Sequence, residues 1–129
     1  MILLWSSATS TARLVLLDNG NPKIEYEWEA GRSLAKEMLS YLRDKLAENS
    51  KTFEDVTGIG VMKGPGSFTG LRIGIVVLNT LSDSLSIPIV GVSGVDWENI
   101  ATERLLNGDN DQLVLPAYGT DAHITLPKK

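Results

Sequence analysis

The chain has 129 residues, 43% hydrophobic and 22% charged, the makeup of an ordinary soluble globular domain with enough length to bury a core unaided. Twelve basic against sixteen acidic side chains leave a net charge of −4, and Lys and Arg are not concentrated anywhere except at the terminal Lys128 and Lys129. This excludes an unaided grip on a nucleic-acid backbone, where neutralised phosphates supply most of the affinity. The absence of cysteine removes disulfides, thiolate zinc sites and thiol nucleophiles, and fits a reducing cytoplasm.

The opening stretch MILLW lacks a basic flank and a small-residue cleavage site, and the apolar run from Ile73 to Leu78 is broken by Gly74. Neither reads as a leader or a membrane span. Ile2 to Trp5 predicts a short buried strand, and Thr11 to Leu17 a second, closed by the turn Asp18-Asn19-Gly20-Asn21-Pro22. Lys23 to Glu29 alternates charge with apolar residues, which places Ile24, Tyr26 and Trp28 on one face of an edge strand whose other face meets water. After Gly31 the period changes. Leu34, Ala35, Met38, Leu39, Tyr41, Leu42 and Leu46 recur at helical spacing, with Ser33 as N-cap and Asn49 near the stop.

Val56 to Met62 then predicts a strand, Thr69 to about Leu85 a helix, Pro88 to Val92 a buried strand, Val95 to Leu106 a third helix, and Leu113 to Leu115 a further strand. Three antiparallel strands followed by strand–helix alternation specify an α/β fold, a mixed five-stranded sheet with helices packed on it. This is the ribonuclease H-like order, found in each half of the actin-like ATPases.

Between the fourth strand and the second helix lies KGPGSFTGLRIG, residues 63 to 74, with four glycines and a proline. A loop that opens a helix presents free N–H groups to an anion. A P-loop, however, requires G-x-x-x-x-G-K-[ST], and here five residues separate Gly64 from Gly70, which is followed by Leu71-Arg72. A nucleophile elbow requires G-x-S-x-G, whereas Ser67 follows Gly66 directly. Ser67 or Thr69 is better read as a helix cap, and the glycines as tight turning and close backbone approach.

On a helical wheel, Leu71, Ile75, Leu78, Leu81 and Leu85 gather with Gly74 into a stripe that belongs against the sheet. Ile73, Val76, Val77 and Thr80 form a second apolar patch, set off on one side by Arg72, Asn79 and Asp83. Either the first helix or another chain covers it.

KGPGSFTGLRIG, followed by SIPIVGVSGVDW, resembles the TsaB (YeaZ) family, which takes part in making threonylcarbamoyladenosine in tRNA. The likeness is specific in the twelve-residue core and extends, more weakly, from Ile2 to about Val92 and on to Leu115. It implies the actin-like fold, no catalysis by this chain and no cofactor. It also implies pairing with the transferase subunit TsaD, or with a second copy, through the first two helices, and an ATPase subunit, TsaE, in the assembled complex; tRNA enters only indirectly. The contact residues so implied are Gly66, Ser67, Phe68, Thr69, Gly70, Arg72, Ile73, Val76, Val77 and Thr80, with Met38 and Tyr41 from the first helix.

The chain departs from the family's pattern in three places. Ser6 stands where the family carries the carboxylate of Asp-Thr-Ser, and Arg32-Ser33-Leu34 replaces His-Ser-Glu. The chain also ends where a second domain of the same fold is expected, which divides it into a first domain, 1–112, and a remnant or start of the second, 113–129. The transferase relatives hold a metal with H-x-x-x-H, and His123 is this chain's single histidine, so no metal site is expected. The alternative is a small actin-like phosphotransferase that holds nucleotide phosphates on the Gly64–Gly70 loop. The acidic stretches Glu48–Asp55 and Asp109–Asp111 read as solvated loops, and Trp28 and Trp97 as packing residues.

Overall fold

A computed structural model describes residues 1–117. Strands β1 (Ile2–Ser6), β2 (Thr11–Leu17) and β3 (Ile24–Glu29) form an antiparallel meander, and helix α1 (Leu34–Glu48) follows. Then come β4 (Gly58–Gly64), α2 (Phe68–Leu85), β5 (Ile89–Ser93) and α3 (Trp97–Leu106). The sheet order is β3-β2-β1-β4-β5, with β4 parallel to both β1 and β5. The expected α/β fold is thus realised as a mixed five-stranded sheet. The alternating strand β3 lies at an edge, and its apolar residues face inward.

Period-2 alternation divides the core in two. Leu3 and Trp5 of β1 and Leu14 and Leu16 of β2 point to one face, where they pack with Leu34, Met38, Leu42 and Leu46 of α1 and Leu71, Ile75 and Leu78 of α2. Leu4 and Val15 point the other way and join Val90, Val92, Trp97 and Ala101 under α3. One helix covers only part of that second face. Beside it, Arg13 on β2 bridges the carboxylates of Glu98 on α3 and Glu25 on β3, the latter at 2.8 Å.

The buried residues of α1 fall four apart, as an i, i+4 row on a helix facing a sheet must. Met38 is on that row and fully buried, which removes it from the predicted contact set. Tyr41 turns inward as well, stacked on Trp28 with ring centroids 4.3 Å apart and edge-on to Trp5 at 6.5 Å. Ser33 occupies the N-cap position without capping through its side chain, because a short 3-10 turn over Gly31–Ser33 leads into the helix.

The strand expected at Leu113–Leu115 does not form. The free edge of β5 is already closed by other groups. Asn110 Oδ1 accepts from Ile89 N–H at 3.1 Å, Asp111 Oδ2 accepts from Gly91 N–H at 2.9 Å, and Asp111 N–H donates to the Ile89 carbonyl at 2.8 Å. Arg104 donates to the Gly91 carbonyl at 3.2 Å. Val114, whose backbone would have extended a ladder, instead exchanges both its polar groups with the Asn79 amide of α2, each at 2.9 Å. From Ile89 to Gly91 the open edge that would invite another chain is therefore satisfied internally. His123 lies outside the described residues.

Two measurements test this packing. A Cβ at Gly74 would stand 2.7 Å from Trp5 Nε1 and inside the contact distance of Ser7 Oγ. Trp5 and Ser7 are both buried, so Gly74→Ala is expected to cost about 1–3 kcal/mol in urea denaturation despite alanine's better helix propensity. Burial acts to raise the Asp111 carboxyl, but the Arg104 guanidinium, the Gly91 N–H and the charge of Lys63 together hold it below the usual aspartate range. A depressed folded pKa contributes stability above the unfolded value of about 3.9, and the contribution is lost as pH falls through the folded value. Thermal melts between pH 6 and pH 2.5 are expected to show a shallower acid loss in Asp111→Asn than in the parent chain.

Candidate protein-interaction surface

Strand β4 ends at Gly64, whose φ of 126° suits glycine, and Pro65 directs the chain away from the sheet. Ser67 N–H donates to the Ala8 carbonyl at 2.7 Å, which fastens the loop to the turn between β1 and β2. Ser67 then caps α2: its Oγ accepts from Gly70 N–H at 3.3 Å, and its carbonyl accepts from Leu71 N–H at 2.9 Å. Of the two capping candidates in the sequence, the structure selects Ser67.

Two glycines of the loop, Gly66 and Gly70, are accounted for by contact with the same turn. A Cβ at Gly66 would sit 2.6 Å from the Cβ of Ala8, and one at Gly70 would overlap the Ser7 carbonyl oxygen. A backbone carbonyl lies against the helix start, and the donors of Ser67 and Gly70 are taken by protein oxygens. Among the described residues no cluster of three or more Asp, Glu, His or Cys gathers as a metal-binding group. The acidic stretches are structural where they are ordered. Asp55 caps the backbone of Thr52 at 2.9 Å, and Asp109 and Asp111 pair with Arg104 at 3.0 and 2.6 Å. Trp97, the first residue of α3, is buried against the sheet, as its reading as a packing residue requires.

Helix α2 buries Leu71, Gly74, Ile75, Leu78 and Ser82 against the sheet. Its other apolar flank is not enclosed within the subunit: Phe68 is 54% and Val76 59% exposed, while Ile73 and Val77 are half-buried. These four, with Thr69, Arg72 and Ala35 of α1, line a shallow groove of about 340 Å³. The Arg72 guanidinium stands 5.5 Å over the Phe68 ring, which places a charge at the rim of an apolar floor. Thr80 lies one turn beyond Val76 and donates its hydroxyl back to the Val76 carbonyl at 2.9 Å, so a partner covering it strands no donor.

Six of the predicted contact residues, Phe68, Thr69, Arg72, Ile73, Val76 and Val77, therefore converge on one groove. Gly66, Ser67 and Gly70 are its scaffold, while Met38 and Tyr41 belong to the core side of α1. Ala35, which lines the groove, and Leu39, 52% exposed, are α1 residues outside the contact set that the resemblance implies. They stand four apart on the outer margin of an apolar stripe wider than one buried row needs.

A family model described as "TsaD: tRNA N6-adenosine threonylcarbamoyltransferase" matches residues 28–116, a span that holds both α1 and α2. Curated relatives in the same region are named tRNA threonylcarbamoyladenosine biosynthesis protein TsaB. The one from Escherichia coli is 30% identical over 92 residues, 71% of this chain and 39% of the relative. The one from Bacillus subtilis is 32% identical over 95 residues, 74% of this chain and 42% of the relative. Among solved structures, YeaZ from Pseudomonas aeruginosa superposes with a TM-score of 0.66 at 32% identity, covering 71% of this chain and 43% of that one.

The chain belongs to this family, on its TsaB (YeaZ) branch. It spans about two fifths of the length of the TsaB relatives it matches. Resemblance and geometry meet on α2: the loop that carries the family likeness is the one that docks α2 on the β1–β2 turn and leaves its far flank uncovered. Because Ser67 is the single side-chain cap on α2, Ser67→Ala is expected to lower stability by about 1 kcal/mol. Urea unfolding should show a reduced midpoint with an unchanged slope.

Proposed function

We propose that the chain serves tRNA threonylcarbamoyladenosine biosynthesis as a non-catalytic partner subunit, docking through α1 and α2 on the TsaD transferase or on a second copy of itself. The observation that carries this reading is the exposed flank of α2, with Val76 and Phe68 more than half accessible beside a groove of about 340 Å³. Apolar surface of this kind, rimmed by polar groups, is the ordinary signature of a protein interface. The TsaB names of the relatives and the TsaD description of the matching family point to the same assembly.

In this reading an ATPase subunit, TsaE, joins the assembled complex, and tRNA reaches the chain only through its partners, as a net charge of −4 favours. The complex works in the cytoplasm. Among the described residues no helix is long and apolar enough to cross a membrane. Residues 1–112 act as the first domain of the family fold and 113–129 as the remnant or start of a second. Docking needs only the first domain, because α1 and α2 lie wholly within it.

Val76→Arg and Ile73→Arg are the discriminating variants. Val76 is surface-exposed, so its replacement is expected to change stability by no more than about 0.5 kcal/mol. Light scattering at tens of micromolar, with and without TsaD, is expected to show paired species for the parent chain and single chains for both variants. A parent chain that stays monomeric and ignores the transferase overturns the proposal.

A further inference from the structure

The groove is held in place by a relay of hydrogen bonds that begins in the sheet. Trp5 and Ser7 are 0% and 2% exposed. Trp5 Nε1–H donates to Ser7 Oγ at 3.0 Å, and the Ser7 hydroxyl donates in turn to the Gly70 carbonyl at 2.7 Å. The direction is fixed by chemistry. Indole nitrogen only donates, so Ser7 must accept from Trp5, and its one proton is left for Gly70. Gly70 belongs to the first turn of α2, flanked by Phe68, Thr69, Arg72 and Ile73, all of which line the groove.

We propose that Ser7 is the positioning residue of this surface: its hydroxyl, oriented by Trp5, fixes where the first two turns of α2 stand and thereby sets the shape of the groove. Close contact supports the hydrogen bond. The backbone of Gly70 approaches the Ser7 carbonyl without room for a Cβ, and the space beside Gly74 is filled by Ser7 Oγ and the Trp5 indole. Helix and turn thus meet backbone to backbone. A side chain just past the end of β1 thus acts on that face through the Gly70 carbonyl. The inference rests on the docking reading for what the groove does, but not for how the groove is held.

Hydrogen–deuterium exchange on the full chain tests it, comparing the parent with Ser7→Ala, Trp5→Phe and a control, Val92→Ala, placed in the core on the opposite face of the sheet. Trp5→Phe keeps an aromatic ring in the core while removing the donor, so it decides the matter should Ser7→Ala fail to fold. Amides 71–77 are expected to exchange about 10-fold faster in both relay variants, with α1 unchanged in Ser7→Ala, whereas the control shows no selective effect on 71–77. Light scattering on the same samples is expected to show weaker pairing in the relay variants than in the control. Uniform acceleration, or none, at 71–77 in Trp5→Phe overturns the positioning role. Failure of the parent to pair would instead remove the docking reading, and the exchange result would still stand.

Discussion

Positions 66, 70 and 74 carry no Cβ, and this lets the backbone of α2 and its entry loop lie directly on the turn between β1 and β2. The close approach is sealed by hydrogen bonds from Ser67 N–H to Ala8 and from Ser7 Oγ to Gly70, with Trp5 behind them. Much of the remaining architecture depends on it. It sets the height of α2 above the sheet, allows Leu71, Ile75 and Leu78 to reach the core, and leaves the opposite flank of the helix facing outward. A glycine-rich loop between a strand and a helix is commonly associated with phosphate binding. Here the same composition serves contact between two pieces of backbone.

Helix α2 consequently has two apolar flanks with different fates. One is enclosed by its own sheet, and the other is left beside α1 with a groove between the two helices. Helix α1 does not close that groove because its buried row, Leu34, Met38, Leu42 and Leu46, is committed to the sheet and its outer row begins with the small Ala35. Arg72 and Thr80 frame the apolar floor, the Arg72 guanidinium over the Phe68 ring and the Thr80 hydroxyl donating to the Val76 carbonyl. Covering the Thr80 hydroxyl therefore strands no donor.

At the other edge of the sheet the same economy is reached differently. Strand β5 could accept a further strand, but Asn110 and Asp111 fill its donors with side-chain oxygens and Arg104 fills a carbonyl. Among the described residues the sheet thereby has five strands.

The pattern of residues was enough to determine the order of the eight main elements, the edge placement of β3, the start of α2 near Ser67 and the presence of two apolar flanks on that helix, because periodicity and capping are local properties. It also carried the family likeness through residues 63 to 74. Only the tertiary structure decided that α1 leaves the second flank open. Met38 and Tyr41 look as available as Leu39 along the sequence, but Met38 is buried in the core and Tyr41 is half-buried against Trp28 once α1 packs on the sheet. The missing strand at Leu113–Leu115 has the same origin: a β-rich tripeptide becomes a strand only beside a free edge, and here residues 104 to 111 had already taken it. Likewise, no spacing rule foretells that Ser7 reaches Gly70, sixty-three positions away, because that contact exists only once β1 and α2 are brought together by the fold.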